Sequence, residues 1–375
     1  MVLLSIALYT YLTTTNTTTN TKTISQAEMT TTETSTPSDS SETVIITGGT
    51  GYVGQHIIAQ LLKLGYKVIA IVRSQPRGME LIKQYSHPNL QIEAVEQLDK
   101  PNSVDFVLKQ HPEASTFIAG AAVTDFTAKD VEKEILQKSN AIIKNTLESI
   151  NHHGKLIKRV VLTSTSGTHI GPEKMFSYDA QYTDDDWSPL PYEAGFANAQ
   201  MAYFVSKKCN EELAWKFIKD NDTQFDLVSI NPSMCLGPVQ FANEVSLKEG
   251  SYLPSTTNII ANLLKLKPND TVEPLAAGAA DVRDVAKAHV AVINNPKASG
   301  QRLIVEAYKF TNANAINILH NYFPQLKDKL PNAEPIPESK FVEPNLKKSR
   351  EILGIEKYYN LTDSVVGLAK QLLKE

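Results

Sequence analysis

Tyr203 and Lys207 stand four residues apart in the string AYFVSKK. On a helix that spacing stacks both side chains on one face, one turn apart. A phenol has a reference pKa of about 10, too high for easy proton exchange at neutral pH. A neighbouring ammonium favours the phenolate and lowers that value. Such a pair can give a proton to a carbonyl oxygen as hydride arrives at the carbon. A Tyr/Lys pair alone is usually no more than an exposed helix face, so its surroundings matter. Before it comes a strand ending LTSTS (162–166), a tip of hydroxyls. One of these would hold and polarise the same oxygen. Thr165 is the first candidate, with Ser164 beside it able to serve.

Hydride needs a carrier, and residues 47–54, TGGTGYVG, offer it a seat. They follow the β-branched run Thr43–Thr47, which suits a strand buried on both faces. After Gly54 the apolar positions Ile57, Ile58, Leu61, Leu62 and Leu64 form one helical face, closed by Gly65. A second buried strand, KVIAIVR (67–73), completes a βαβ unit of dinucleotide-binding length. In that setting Gly48 permits the tight turn, Gly51 lets backbone approach a pyrophosphate, and Gly54 lets helix pack on strand. Tyr52 and Val53 open the helix, whose N-terminal N–H groups and partial positive charge suit a phosphate. The second strand ends on Arg73, with Arg77 close behind and no acid. An acid there would bind the ribose hydroxyl of NAD, whereas an arginine fork suits the 2′-phosphate of NADP(H). NADP(H) is therefore the expected cofactor.

Strands are expected at 43–47, 67–73, 91–96, 116–122, 157–164 and 225–231, with helices at 131–151 and 198–219 between them. That alternation predicts an α/β fold, a Rossmann-type doubly wound parallel sheet over 43–232. Beyond Pro232 the pattern loosens into Pro-rich loops (331–344) and helices near 255–266, 311–322 and 361–373. Residues 233–375 are expected to form mainly a smaller C-terminal substrate-binding cap, with 281–306 returning to the first domain.

The chain has 375 residues, 42% of them hydrophobic, enough for a sizeable core. A net charge of −4 gives no reason to expect nucleic acid. Its two cysteines, Cys209 and Cys235, make no disulfide framework, and the eight histidines show no zinc spacing. A reducing, cytoplasmic setting follows. Residues 2–12, VLLSIALYTYL, lack a basic residue before them and are too short to span a bilayer, so no stable membrane insertion is expected. The alternative is a weak signal or anchor. From Thr13 to Ser41, 18 of the 29 residues are Ser or Thr, which predicts disorder for a leader over 1–42.

With TGGTGYVG, LTST and YFVSK in this order, INPSMCLGP (230–238) and DVRDVAKAH (281–289) complete a resemblance to the extended short-chain dehydrogenases/reductases. Within them the chain is similar to fungal NADPH-dependent methylglyoxal, aldehyde and ketone reductases and to plant dihydroflavonol reductases. The resemblance covers about 43–375. It implies a triad of Thr165, Tyr203 and Lys207, with Lys207 also bonding the nicotinamide ribose. It places Asn231 and Pro232 beside the nicotinamide, and it implies a small-molecule carbonyl substrate. Three positions depart from the pattern. The usual triad serine reads Thr165, the adenine-contacting acid reads Gln97-Leu98, and AGAA (119–122) lacks the family's His. Rival readings are a steroid or sterol dehydrogenase, a nucleotide-sugar epimerase and a non-catalytic NADP-sensing protein. The sequence leaves monomer and homodimer both open.

Other features read as structural. Asp281 or Asp284 would cap a helix. Trp187, in the acidic TDDDW (183–187), reads as a lid or core residue, His152-His153 as a solvated helix end, and Cys235 as a buried thiol near the pocket. Asn140 matches a helix asparagine that in relatives anchors a water, or else it packs.

Overall fold

A computed structural model describes residues 42–248 and 253–374. The Ser/Thr-rich leader, Glu42 apart, lies outside the described residues.

Runs of β-branched and aliphatic residues build the main sheet. Its strands are β1 (Thr43–Thr47), β2 (Lys67–Val72), β3 (Leu90–Ala94), β4 (Ala114–Ala119), β5 (Arg159–Thr163), β6 (Asp226–Pro232) and β9 (Arg302–Val305). They lie in the order β3-β2-β1-β4-β5-β6-β9, every pair parallel. The first six reproduce the order of a dinucleotide-binding sheet, whose switch point lies between β1 and β4. Because both faces are covered, β1 is buried at all five residues.

One face is closed by α1 (Tyr52–Lys63) and α8 (Val282–Ala291), with Leu353 of α10 (Lys347–Leu353) packed beside them. The other is closed by α3 (Asp105–Gln110), α4 (Lys138–His153) and α6 (Ala199–Asp220). The expected helix at 131–151 is there, but its first turn, Glu132–Gln137, is wound as a π-helix. Helix α2 (Gln75–Tyr85) connects β2 to β3, and a single turn, α5 (Pro172–Met175), follows the tip of β5.

A second sheet has the order β10-β8-β7, from β7 (Met234–Leu236), β8 (Ala276–Asp281) and β10 (Tyr308–Thr311). It shares an apolar core with α7 (Thr257–Leu263), α9 (Asn312–Tyr322) and α11 (Leu361–Leu373), including Phe310, Ile316, Val365 and Leu368. Strand β8 was not foreseen, because AAGAAD has little strand propensity. Its small residues have a tertiary cause. A Cβ on Gly278 would lie 1.8 Å from the Glu306 carboxylate, which is buried just past β9.

Four strands end sooner than the sequence suggests, and two of them, β4 and β5, shape the site. β4 stops at Ala119 because the N–H groups of Gly120 and Ala121 turn to the Thr47 hydroxyl, at 3.1 and 3.2 Å. β5 stops at Thr163, which leaves Ser164 and Thr165 as a tip beyond the ladder.

Candidate active site

The tips of β1, β4, β5 and β6 and helix α6 converge on one place. Gly48 has φ of +77°, and a Cβ there would meet the Gly120 carbonyl at 2.6 Å, so this turn admits only glycine. A Cβ on Gly54 would lie 2.2 Å from the Gly48 oxygen. Gly51 differs. The protein offers a Cβ there only the Gly48 oxygen, at 3.2 Å, and the residue is exposed. Its lack of a side chain leaves the start of α1 open, where no side chain caps the helix and no acid sits in the first turn. That cradle fits a pyrophosphate. Arg73, just past β2, and Arg77, in the first turn of α2, are both exposed. β1 and β2 are paired in register up to Thr47 and Ile71, so the arginine end of β2 lies next to the glycine turn.

Two other residues of this stretch are used by the fold. The Tyr52 hydroxyl donates to the Gly237 carbonyl at 2.6 Å, tying α1 to the chain after β7. Val53 packs between the two cores. Any cofactor contact there falls to their backbone.

Helix α6 carries Tyr203 and Lys207 on one face, as their spacing predicts. Asn198 caps it, accepting from the Met201 N–H at 2.9 Å. Lys207 is buried, and its ammonium donates to the Thr163 carbonyl at 2.7 Å, which fastens α6 to the end of β5. Burial lowers its pKa to about 8, and the carboxylate of Glu211 works against that fall. Tyr203 is half-buried. Its ring meets Phe204 at 5.5 Å and Phe126 at 6.0 Å, and Phe126, itself 52% exposed, walls the approach.

The expected depression of the Tyr203 pKa is not found. Burial, and secondarily Cys235, push it up to about 12. The ammonium that would lower it is held on the Thr163 carbonyl. The phenol is thus fully protonated at neutral pH, the state required of a proton donor. Cys235 is likewise an unreactive thiol, pushed up to about 12 by burial and by Asp281.

At the β5 tip the two hydroxyls have different surroundings. Ser164 donates to Glu211, and its backbone N–H donates to the Ile230 carbonyl at 2.8 Å. Thr165 makes only long contacts, donating to the Pro232 carbonyl at 3.4 Å and accepting from the Gly167 N–H at 3.3 Å. Ser164 is committed inward, and Thr165 keeps the freer hydroxyl.

Asn231, expected beside the nicotinamide, turns its side chain into the protein. It is fully buried, donates to Thr168 at 2.9 Å and to Glu211 at 2.8 Å, and accepts from Ser229 at 2.8 Å. Its amide is used up beneath the site, and Pro232 follows it, buried, at the strand end.

These bonds meet at Glu211, one turn beyond Lys207 and absent from the sequence reading. Its carboxylate accepts from Ser164, from Thr168 at 2.7 Å, from Ser229 at 2.9 Å, from Asn231 and from Arg302 of β9 at 2.6 Å. Burial pushes the carboxyl up, but Arg302 and the other donors outweigh it and hold it at about 2. Trp187 lies over the Arg302 guanidinium at 3.6 Å, so it clamps this network rather than a substrate. Asp281 caps α8, accepting from the Arg283 N–H at 2.9 Å. His153 pairs with Asp105 at 3.0 Å. With its amide nitrogen turned to the acceptors, Asn210 donates to Asn140 at 2.9 Å, and Asn210 lines a small cavity with Lys207 and Thr163. Among the described residues no His, Cys, Asp and Glu group could hold a metal, and no helix is long and apolar enough to cross a membrane.

Residues 44–307 match the NAD dependent epimerase/dehydratase family. The chain belongs to that family. Among its members, a putative uncharacterized oxidoreductase of Saccharomyces cerevisiae is 35% identical, over 88% of this chain and 97% of that protein. The putative NADPH-dependent methylglyoxal reductase GRP2 of Candida albicans is 32% identical, over 89% of this chain and 99% of its own length. The crystal structure of Gre2 from Candida albicans in complex with NADPH superimposes with a TM-score of 0.84 at 37% identity, covering 89% of this chain and 99% of that one. The Rossmann-type fold read from the sequence is the fold of this epimerase/dehydratase family member.

Three buried histidines give the protein an acid limit. Burial lowers His56 and His289 to about 4 and His169 to about 3, against an ordinary value of 6.5. The unfolded chain therefore binds more protons than the native one below about pH 6.5, and stability falls as pH drops through that range. By pH 5 each histidine costs about 2 kcal/mol. Asp284, raised by burial, works the opposite way. Urea titrations at pH 7.5, 6 and 5 should show the midpoint falling at each step. A flat profile down to pH 5 would contradict the neutral, buried state of these rings.

Proposed function

We propose that the protein is an NADPH-dependent reductase that converts an aldehyde or ketone to the alcohol, with Tyr203 as proton donor. The observation that carries this reading is the Lys207–Thr163 bond, which brings the Tyr203 face of α6 to the Thr165 tip beside the glycine turn. The relatives named as NADPH-dependent reductases, and the fold shared with the NADPH complex, support the cofactor and reaction class.

When bound, NADPH supplies the hydride, and the protein supplies the rest. Gly48, Gly51 and Gly54 shape the phosphate cradle, the N–H groups of Tyr52 and Val53 face it, and Arg73 and Arg77 take the 2′-phosphate. Pro232 borders the nicotinamide end. Thr165 donates to the carbonyl oxygen of the substrate and polarises it. Tyr203 transfers its phenolic proton to that oxygen. Lys207, one turn away on the same helix face and held on the Thr163 carbonyl, would bond the nicotinamide ribose. Phe126, whose ring meets that of Tyr203, offers an apolar wall against which a small carbonyl compound can pack.

Oxidation of NADPH by the purified protein, followed by its absorbance against a panel of α-oxoaldehydes, aliphatic aldehydes and ketones, tests the reading. Turnover with at least one class is expected, and none with any of them would overturn it. Arg73→Ala should raise the Michaelis constant for NADPH and leave that for NADH almost unchanged. Equal losses for both would show that the 2′-phosphate is held elsewhere.

A further inference from the structure

We propose that His289 is a positioning residue for Lys207, acting through Thr163. It closes the motif DVRDVAKAH, far from the Tyr/Lys pair in sequence, and it is fully buried in α8. Both of its ring nitrogens are engaged. Nδ1 lies 2.8 Å from the Val285 carbonyl, which can only accept, so Nδ1 carries the proton. Nε2 is then a bare lone pair, and it lies 2.9 Å from the Thr163 hydroxyl, which must donate. The tautomer of the histidine thus fixes the direction of the threonine's hydrogen bond.

Thr163 is where this matters. It is the last residue of β5, and its own carbonyl is the acceptor for the Lys207 ammonium at 2.7 Å. A β-branched side chain has few χ1 options, so anchoring its hydroxyl also anchors the backbone that carries it. On the open side Gly120 approaches closely, its absent Cβ lying 3.4 Å from the Thr163 hydroxyl. Held between His289 and Gly120, Thr163 presents its carbonyl in one direction, and the ammonium follows it. The chain His289–Thr163–Lys207 joins α8 to α6 across the end of the sheet. Of the three only Lys207 belongs to the proposed triad, and His289 acts on it at one remove. The neutral ring also suits the site, since a second cation here would repel Lys207.

The inference rests on the proposed reductase reading, and a double-mutant cycle separates the two. Thr163→Val removes the hydroxyl, retains the carbonyl and changes little volume. His289→Leu removes the acceptor, and His289→Gln supplies an amide oxygen in its place. Each variant and the double His289→Leu/Thr163→Val are compared in turnover, in the Michaelis constant for the carbonyl compound, and in NADPH affinity by fluorescence, with a circular-dichroism melt as the fold check. Thr163→Val and His289→Leu should each lower turnover by roughly 5- to 30-fold, about the reach of one lost hydrogen bond. NADPH binding should weaken with it, and the Michaelis constant for the carbonyl compound should hardly move. The double variant should be no worse than either single, and His289→Gln should recover most of the loss. Native turnover in Thr163→Val, or losses that multiply in the double variant, would overturn the inference. If His289→Leu does not fold, Thr163→Val decides alone. Native turnover in Lys207→Met would instead overturn the reductase mechanism itself.

Discussion

Tyr203→Phe should lower turnover by roughly 10²- to 10⁴-fold, the usual worth of a positioned acid, with fold and NADPH affinity retained. The substitution removes one oxygen. The ring contacts to Phe204 and Phe126 remain, and no packing is opened. Only a group that is protonated at working pH can act as the donor, and burial at about 12 keeps this phenol so. Lys207→Met should also cut turnover, and should weaken NADPH as well if the ammonium serves the nicotinamide ribose. It would further leave the Thr163 carbonyl without its donor, so some stability should be lost too. Thr165→Ala should reduce turnover while Thr165→Ser is mild, because Ser164, bound to Glu211, is not free to substitute. Steady-state rates beside fluorescence-measured NADPH affinity distinguish these outcomes. A Tyr203→Phe protein with near-native turnover would sink the proton-donor role and return attention to a non-catalytic NADP-binding protein.

The parts of this site that were legible in sequence are those set by local geometry. Tyr203 and Lys207 share a face because a helix has 3.6 residues per turn. The glycine turn stands between a buried strand and an amphipathic helix, so its place was readable even though the reason for Gly48 was not. That reason is Gly120, on a different strand. Arg73 could be placed because a strand end is predictable from the run before it. What stayed hidden depends on contacts across the sheet. Arg302 reaches Glu211 from β9, and His289 reaches Thr163 from α8, separations that no local pattern encodes. The side-chain partners of Asn231 were hidden for the same reason. Its neighbours in sequence suggest a residue at the cofactor, but its partners in space draw its side chain beneath the site. The pKa of Tyr203 could not be read from spacing either, because the partner of Lys207 is a carbonyl on β5. Glu211 is the exception. It lies at i+8 from Tyr203 and i+4 from Lys207, and a carboxylate on that face was a visible signal of a buried network.

Glu211→Ala should be the most destabilising single change in the molecule outside the apolar cores, at roughly 3–5 kcal/mol. The carboxylate is fully buried and satisfies donors from four elements: Ser164 at the tip of β5, Ser229 and Asn231 of β6, Arg302 of β9, and Thr168 in the turn after β5. Removing it leaves the Arg302 guanidinium, itself nearly buried, with no counter-charge and strands the Ser164 hydroxyl, while Ser229, Thr168 and Asn231 each lose one of their partners. Glu211→Gln should cost less, since an amide oxygen still accepts, but its NH₂ must face donors. Arg302→Met added to Glu211→Ala should recover part of the loss, because the uncompensated charge goes with it. Urea titrations of the three variants at pH 7.5 give these differences directly. A Glu211→Ala protein within 1 kcal/mol of the parent would mean that solvent or relaxation reaches the network, and the β5 tip would no longer be held as described. The same carboxylate carries a pH signature. With its folded pKa at about 2 and its ordinary value at 4.5, its stabilisation is present above pH 4.5 and lost as pH falls towards 2. That loss overlaps only the lower end of the histidine window and continues below it, so below about pH 4 the parent should go on losing stability that Glu211→Gln no longer has to lose. Because Ser164 and Asn231 depend on this one group, the surviving fraction of folded Glu211→Gln protein should also show reduced turnover, although Glu211 touches neither cofactor nor substrate.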